Sequence, residues 1–246
     1  MKHSGQIFFG IAALLGAVLV LIACAPAPEP ATQTITSAPV EEEDVPTMTV
    51  EEATAQLFAA AIANDVDAAT EALKNDAQLE ARDGDGRTPL VAATKTNSAA
   101  VAKALLEAGA DPNAKDNLQD SAYLYAGAEG LDEILVETLK HGADVTSTNR
   151  YGGTALIPAS ERGHVSTVKI LIDAGVPVNH INNLHWTALH EAIVLGTGSP
   201  AHIETVRLLI EGGADVTIAD GNGVSPRDLA ASRGYREIVA LIDAAS

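Results

Sequence analysis

The sequence is poor in cysteine, in aromatic residues and in basic residues. One Cys in 246 residues excludes an intrachain disulfide framework and a cysteine-rich zinc site. Aromatic residues make up only 3%, which disfavours a protein that stacks nucleic-acid bases. Only 15 Lys and Arg stand against 33 Asp and Glu, and the net charge of −18 disfavours nucleic acid or an anionic membrane surface as partner. With 47% hydrophobic residues the chain is nevertheless globular, with a core mainly of Ala, Leu, Ile and Val.

The first 23 residues have the pattern of an export signal. A polar start with Lys2 and His3 precedes an uncharged apolar run over 7–23, and the only cysteine, Cys24, follows at once. This segment resembles the signal peptide and lipobox of bacterial lipoproteins. The resemblance implies cleavage before Cys24 and acylation of its thiol and its new amino group, so that the protein would be lipid-anchored in the cell envelope, facing the periplasm or the exterior.

Two other interpretations fit the same residues. The apolar run could be an uncleaved anchor, although its 17 residues are at the lower limit of the roughly 17–25 that span a bilayer. Cleavage by an ordinary signal peptidase would instead leave Cys24 as a free thiol. We favour lipidation, because two or three acyl chains hold a protein stably on a membrane whereas one chain does so only marginally.

Residues 24–50 are predicted to be a disordered tether. This stretch holds five of the eleven prolines and the acidic run 41–44, and it contains no Lys or Arg. Such a composition cannot bury enough apolar surface to offset the entropy of ordering. The acidic run could alternatively be a docking motif.

The remainder, 51–246, repeats with a fixed period. Hydroxyl residues recur in steps of 33, 33, 33 and 38 at Thr88, Ser121, Thr154, Thr187 and Ser225. Glycines recur in phase, in steps of 33, 33 and 38, at Gly109, Gly142, Gly175 and Gly213. Two markers that keep one period indicate a repeated structural unit.

Each unit is predicted to be a pair of helices. The hydroxyl would cap the first helix by accepting a bond from a first-turn N–H group. That helix would end at Asn97, Gly130, Gly163, Gly196 and Gly234 in the successive units. The in-phase glycine would then end the second helix in the left-handed conformation.

These units resemble ankyrin repeats. The resemblance lies in Thr-Pro-Leu-Val-Ala-Ala over 88–93 and Leu-Leu-Glu-Ala-Gly-Ala-Asp over 105–111. It implies an all-α solenoid of helix-turn-helix units with short β-hairpin loops, with about six units over 51–246. The first unit has Ala55 for the cap and Asp76 for the glycine, and we expect the first and last units to act as caps.

The fifth and fourth units each depart locally from the repeat pattern. Five extra residues around 196–202 are expected between the two helices of the fifth unit, either as a tolerated surface insertion or as a contact loop. Pro158 is expected at the fourth position of a helix, where it would remove one hydrogen bond and bend the helix slightly.

Motifs for catalysis or metal binding are incomplete in this sequence. His190-Glu191 lacks the second histidine of a zinc-protease motif, because residue 194 is Val. Asp83-Gly84-Asp85-Gly86 lacks the acidic twelfth residue of a calcium loop, because residue 94 is Thr. His180, His185 and His190 could gather a metal and support a hydrolase, but we predict no catalytic residue, metal or cofactor.

The resemblance implies a concave binding groove lined by hairpin tips and first helices. Large apolar residues with a polar rim mark interaction sites, and Trp, Tyr and Arg dominate binding energy. Trp186 and Leu184 could alternatively pack on a neighbouring hairpin. The predicted partner-binding residues are Arg150, Tyr151, Arg162, Asn183, Leu184, Trp186, Val194, Leu195 and Arg233.

The sequence therefore predicts a monomeric, membrane-tethered protein-interaction module that presents this groove to an envelope or extracytoplasmic protein. One alternative is an immunity or inhibitor protein that blocks a secreted toxin or envelope enzyme. A hydrolase using the histidines is a second alternative.

Overall fold

A computed structural model describes residues 48–246. The predicted signal peptide over 1–23, Cys24 and the tether as far as residue 47 lie outside the described residues. Within 48–246 no helix is long and apolar enough to cross a membrane. The helices of this part are α1 (Val50–Ala63), α2 (Val66–Lys74), α3 (Pro89–Lys95), α4 (Ala99–Glu107), α5 (Ala122–Glu129), α6 (Asp132–Lys140), α7 (Leu156–Arg162), α8 (Val165–Asp173), α9 (Ala188–Val194), α10 (Pro200–Glu211), α11 (Pro226–Ser232) and α12 (Arg236–Ala245).

The helices form six pairs that stack in chain order. Each odd-numbered helix contacts the next odd-numbered one, and the even-numbered helices contact one another in the same way. Small residues such as Ala93, Ala126 and Ala159 are fully buried in the first layer, which allows close approach of its helices. Apolar residues of the second helices, such as Leu105 and Leu171, close the core from the other side. The predicted all-α array of paired helices is confirmed.

The first unit is capped earlier than expected. The Thr49 side chain accepts a hydrogen bond from the Glu52 backbone, and the Glu52 side chain accepts one from the Thr49 backbone at 2.9 Å. Helix α1 therefore starts at Val50, and Ala55 lies inside it rather than at its cap. Asp76 does replace the glycine at the end of the unit, since its φ is 58°.

The hydroxyl caps form in four units and fail in one. Thr88, Ser121, Thr187 and Ser225 each accept a bond from the backbone three residues on. Thr154 is buried without a side-chain hydrogen bond, and α7 begins only at Leu156.

Proline explains the late start of α7. Pro158 has no N–H to donate to the Thr154 carbonyl, which accepts instead from Ile157 N at 3.1 Å. Pro158 is thus the third residue of the helix, where an N–H would have no partner within the helix. The early hydrogen bond is therefore lost, as expected, although Pro158 is the third residue of α7 rather than the fourth.

The hairpin tips between units share one pattern of side-chain to backbone hydrogen bonds. At each tip a side-chain oxygen accepts from the backbone N–H groups two and four residues on, at 2.9–3.0 Å. Two backbone hydrogen bonds also close each tip, and none of the tips contains a residue in a β-strand. The five residues that supply the oxygen are Asp83, Asp116, Asn149, Asn182 and Asp220.

The extra residues of the fifth unit are built into the fold. Gly198, rather than Gly196, adopts the left-handed conformation in this loop, with a φ of 66°. Helix α10 begins at Pro200 and has 12 residues, against nine in α8, so part of the insertion is helical. The Tyr235 hydroxyl donates to the Gly196 carbonyl at 3.0 Å, and this bond joins the inserted loop to the last unit.

We predict that Gly196→Ala destabilises the array. A Cβ at this position would clash with the Ala192 carbonyl oxygen and the His202 ring. Because one of these atoms belongs to the backbone, the loop must shift, at a cost of about 1–3 kcal/mol. Chemical denaturation measures this loss. Gly84→Ala is the control, since a Cβ there meets nothing within 4 Å, and an equal loss in both variants would contradict the prediction.

Candidate functional site

A pocket of about 300 Å³ lies between the hairpin tips and the first helices of the third to fifth units. Its size is at the lower end of the range for ligand sites, roughly 300–1,000 Å³. The tips supply polar, charged and apolar groups, and the first helices supply apolar, acidic and basic ones. Its lining residues are Asp120, Tyr125, Ala128, Glu129, Asn149, Arg150, Tyr151, Gly153, Ile157, Pro158, Glu161, Arg162, Asn182, Leu184, Glu191 and Leu195.

Five of the predicted partner-binding residues line this pocket, which we call the central pocket. They are Arg150, Tyr151, Arg162, Leu184 and Leu195.

The other four predicted residues do not line the central pocket. Asn183 is exposed, and its backbone N–H donates to the Tyr151 carbonyl of the preceding tip at 3.0 Å. Trp186 is half-buried, and its backbone closes the same tip through bonds with Asn182. Val194 is half-buried, and Arg233 is exposed at the end of α11.

Three large apolar residues are exposed around the pocket. Tyr151 and Leu184 are each 55% exposed, and Leu195 is 47% exposed. Tyr151 and Leu184 come from successive hairpin tips, whereas Leu195 follows α9. Grouped exposed apolar residues are a usual mark of an interaction site.

The basic residues around the pocket already have acidic partners. Lys95 Nζ lies 2.8 Å from Asp120 and 3.3 Å from Asp116. Arg150 lies 3.6 Å from the other Asp120 oxygen and stacks over the Tyr151 ring at 4.8 Å.

Arg162 is held in the same way. Its guanidinium contacts Glu129 at 2.6 Å and donates to the Ala128 carbonyl at 2.5 Å. These contacts hold the basic side chains of the pocket against the preceding unit.

Glu191 is a buried acid in the floor of the pocket. It is 5% exposed, and the Asn182 amide donates to one carboxylate oxygen at 3.0 Å. Burial, and next the charge of Glu161, raise the pKa of Glu191 to about 7, although the Asn182 bond works in the opposite direction. The carboxyl group therefore changes its charge near neutral pH.

Sequence reasoning missed Glu191, because it considered this residue only as part of a failed zinc motif. A usable signal was present in the repeat alignment. The same position of the first helix is Tyr125 in the third unit and Pro158 in the fourth, 33 residues apart each time. An acid among apolar residues at one repeat position stands out.

The three histidines of the fifth unit serve separate structural roles. His180 donates to the Gly152 carbonyl at 2.7 Å, and His185 takes the left-handed position of its tip with a φ of 60°. His190 is fully buried, and burial lowers its pKa. In the part of the chain from 48 to 246, no group of three acidic, His or Cys residues could hold a metal ion.

The stacked helix pairs and polar hairpin tips define a helical repeat scaffold, and comparison with known proteins identifies which one. The family model for ankyrin repeats in three copies matches residues 11–116 and 123–220. The chain belongs to the ankyrin repeat family.

Three relatives are matched over nearly their whole length. The putative ankyrin repeat protein YahD of Escherichia coli K12 is 34% identical over 199 residues, covering 80% of this chain and 99% of YahD. A solved ankyrin repeat domain from Acinetobacter baumannii AYE is 54% identical, with a TM-score of 0.75 over 77% of this chain and 96% of that one. The solved ankyrin repeat protein EF0377 is 41% identical, with a TM-score of 0.74 over 77% of this chain and 97% of its own.

We predict that Glu191→Gln stabilises the protein at pH 8 but not at pH 4. Since the pKa is raised from 4.5 to about 7 on folding, the folded state binds more protons between these values, and stability falls as pH rises through them. Removing the charge should therefore restore about 1–3 kcal/mol at pH 8. Denaturation at both pH values measures the difference.

The exposed Glu133→Gln is the control, and we expect it to change stability little at either pH. A Glu191→Gln variant whose gain is the same at pH 4 and pH 8 would show that burial of the charge is not the cause.

Proposed function

We propose that the chain is a protein-interaction module that holds a partner protein at the central pocket and its apolar rim. The observation that carries the proposal is the grouping of Tyr151, Leu184 and Leu195, exposed to about half, on one pocket. Binding hot spots are enriched in Tyr and Arg, and Tyr151 and Arg150 both line this pocket. The hairpin bonds described above hold the tips in place before binding, which lowers the entropic cost of association.

The setting that we propose is the bacterial cell envelope. The apolar run before Cys24 supports export, and the cysteine at its end supports a lipid anchor. The proline-rich and acidic composition of residues 24–47 supports a spacer that holds the repeat array, as a monomer, away from the bilayer.

Capture of the partner in the native host tests the pocket. A photoreactive residue in place of Leu184 should crosslink one protein reproducibly, and mass spectrometry identifies it. Adding Tyr151→Ala or Leu195→Ala should lower the yield at least fivefold, as loss of a hot-spot side chain weakens binding by more than about 1 kcal/mol. The melting temperature should stay nearly constant, because both side chains are exposed.

Ile62→Ala is the matched control for this experiment, since Ile62 is 60% exposed but belongs to α1. Crosslinks that persist in the two pocket variants, or fall equally with Ile62→Ala, would refute the pocket as the binding site. A captured toxin or envelope enzyme whose activity is blocked would make the module an inhibitor.

The anchor is tested by Cys24→Ser. We expect the parent chain to incorporate a labelled fatty acid and to sediment with membranes, and the variant to lose the label. Loss of the label with retention in the membrane fraction would support the uncleaved anchor instead. A parent chain without label would exclude lipidation.

A further inference from the structure

The central pocket has two acidic residues more than basic ones. Its lining carries Asp120, Glu129, Glu161 and Glu191 against Arg150 and Arg162. Both arginines are engaged by Asp120 and Glu129, as described above. Within the described range 48–246 no ion pair is formed by Glu161 or Glu191.

The two unpaired acids come from neighbouring units, and the charge of Glu161 acts on Glu191. Glu161 lies on α7 and is half-buried, and Glu191 lies on α9 and is buried. The backbone carbonyl of Glu161 accepts from His202 Nε2 at 2.8 Å, which fixes this end of α7 against the fifth unit. Like charges held close together in a poorly solvated place repel each other, and a cation between them would remove the repulsion.

Part of the pocket lining beside the acids is apolar. Ile157 and Pro158 line the pocket on the α7 side, and Leu195 lines it beyond α9. Long basic side chains bury their methylene stems on apolar surface while the charged end reaches a polar partner. A pocket of about 300 Å³ has room for one such side chain.

Resting on the proposed function, we infer that the central pocket recognises a basic side chain, Arg or Lys, of the partner protein, with Glu161 and Glu191 as its carboxylate acceptors and Leu195 beside its stem. A charge-assisted hydrogen bond to a carboxylate would supply the specificity. The net charge of −18 favours approach of a basic partner over long range. The buried acid is thus a binding device that lowers the stability of the free protein at neutral pH.

Short peptides test this inference on the full chain in detergent. The probe is acetyl-Gly-Leu-Arg-Leu-Gly-amide, and its neutral isostere carries citrulline in place of Arg. We expect the Arg peptide to bind at least tenfold more tightly than the citrulline peptide. A Lys peptide shows whether the site prefers a guanidinium or an ammonium. Equal binding of the Arg and citrulline peptides would overturn the inference.

Two variants locate the effect. Glu191→Gln keeps the shape of the side chain and should lower the affinity for the Arg peptide at least tenfold, and Glu161→Gln should lower it severalfold. Glu133→Gln, an exposed glutamate of α6, is the control for general loss of negative charge. An unchanged affinity in Glu191→Gln, or an equal loss in Glu133→Gln, would overturn the assignment.

A pH series gives an independent readout. Because a cation prefers the ionised carboxylates, affinity for the Arg peptide should rise severalfold from pH 5.5 to pH 8 and should do so much less in Glu191→Gln. The other charged groups that line the pocket are Asp120, Glu129, Arg150, Glu161 and Arg162, and all remain in that variant. A rise that is the same in both proteins would count against Glu191.

The capture experiment separates this inference from the proposed function. If Leu184 crosslinks the partner equally well with Glu191→Gln and the peptides show no charge preference, the module binds by its apolar rim alone. If the Arg peptide binds selectively but no partner is captured, the cation site stands and the proposed partner site fails.

Discussion

A side-chain oxygen at the start of each hairpin tip is the interaction on which the site depends. The oxygen accepts two backbone N–H groups, so each tip has one shape that needs no strand pairing to hold it. In the second and third units the residue is an aspartate, whereas in the fifth it is Asn182, whose amide still has hydrogens to donate. Asn182 therefore shapes the tip with its oxygen and holds the buried Glu191 with its nitrogen. Asn182 thus links the hairpin tip to the buried carboxylate of the pocket.

The period of 33 residues was sufficient to predict the array, because the second to fifth units repeat the same hydroxyl residue, small residue and glycine. It failed where neighbouring residues change the local hydrogen bonding. Pro158 cannot complete the turn that would begin at Thr154, and Thr49 starts α1 before the in-phase position is reached. Neither effect can be read from the marker residues alone, since both depend on residues that do not repeat.

The candidate site, too, was predicted only in part from the sequence. Exposed residues at the repeat positions implied by the family, such as Tyr151 and Leu195, do line the pocket, whereas Trp186 and Arg233 lie outside its lining. The ion pairs around the pocket could not be predicted from the sequence. Lys95 pairs with Asp116 and Asp120, and Arg162 pairs with Glu129, because of distances that only the folded structure sets. For the same reason, the sequence could not show that Glu161 and Glu191 form no ion pair within residues 48–246.

The longer fifth unit has a consequence for how the array assembles. Helix pairs of one length and similar sequence can associate out of step, with one pair taking the place of the next. The extended α10 and the loop before it fit only where Tyr235 can reach the Gly196 carbonyl and His202 can reach α7. Misaligned stacking of the last units would lose these contacts, so the insertion favours the correct order of the units. Asymmetric features favour one arrangement of a symmetric helix bundle in the same way.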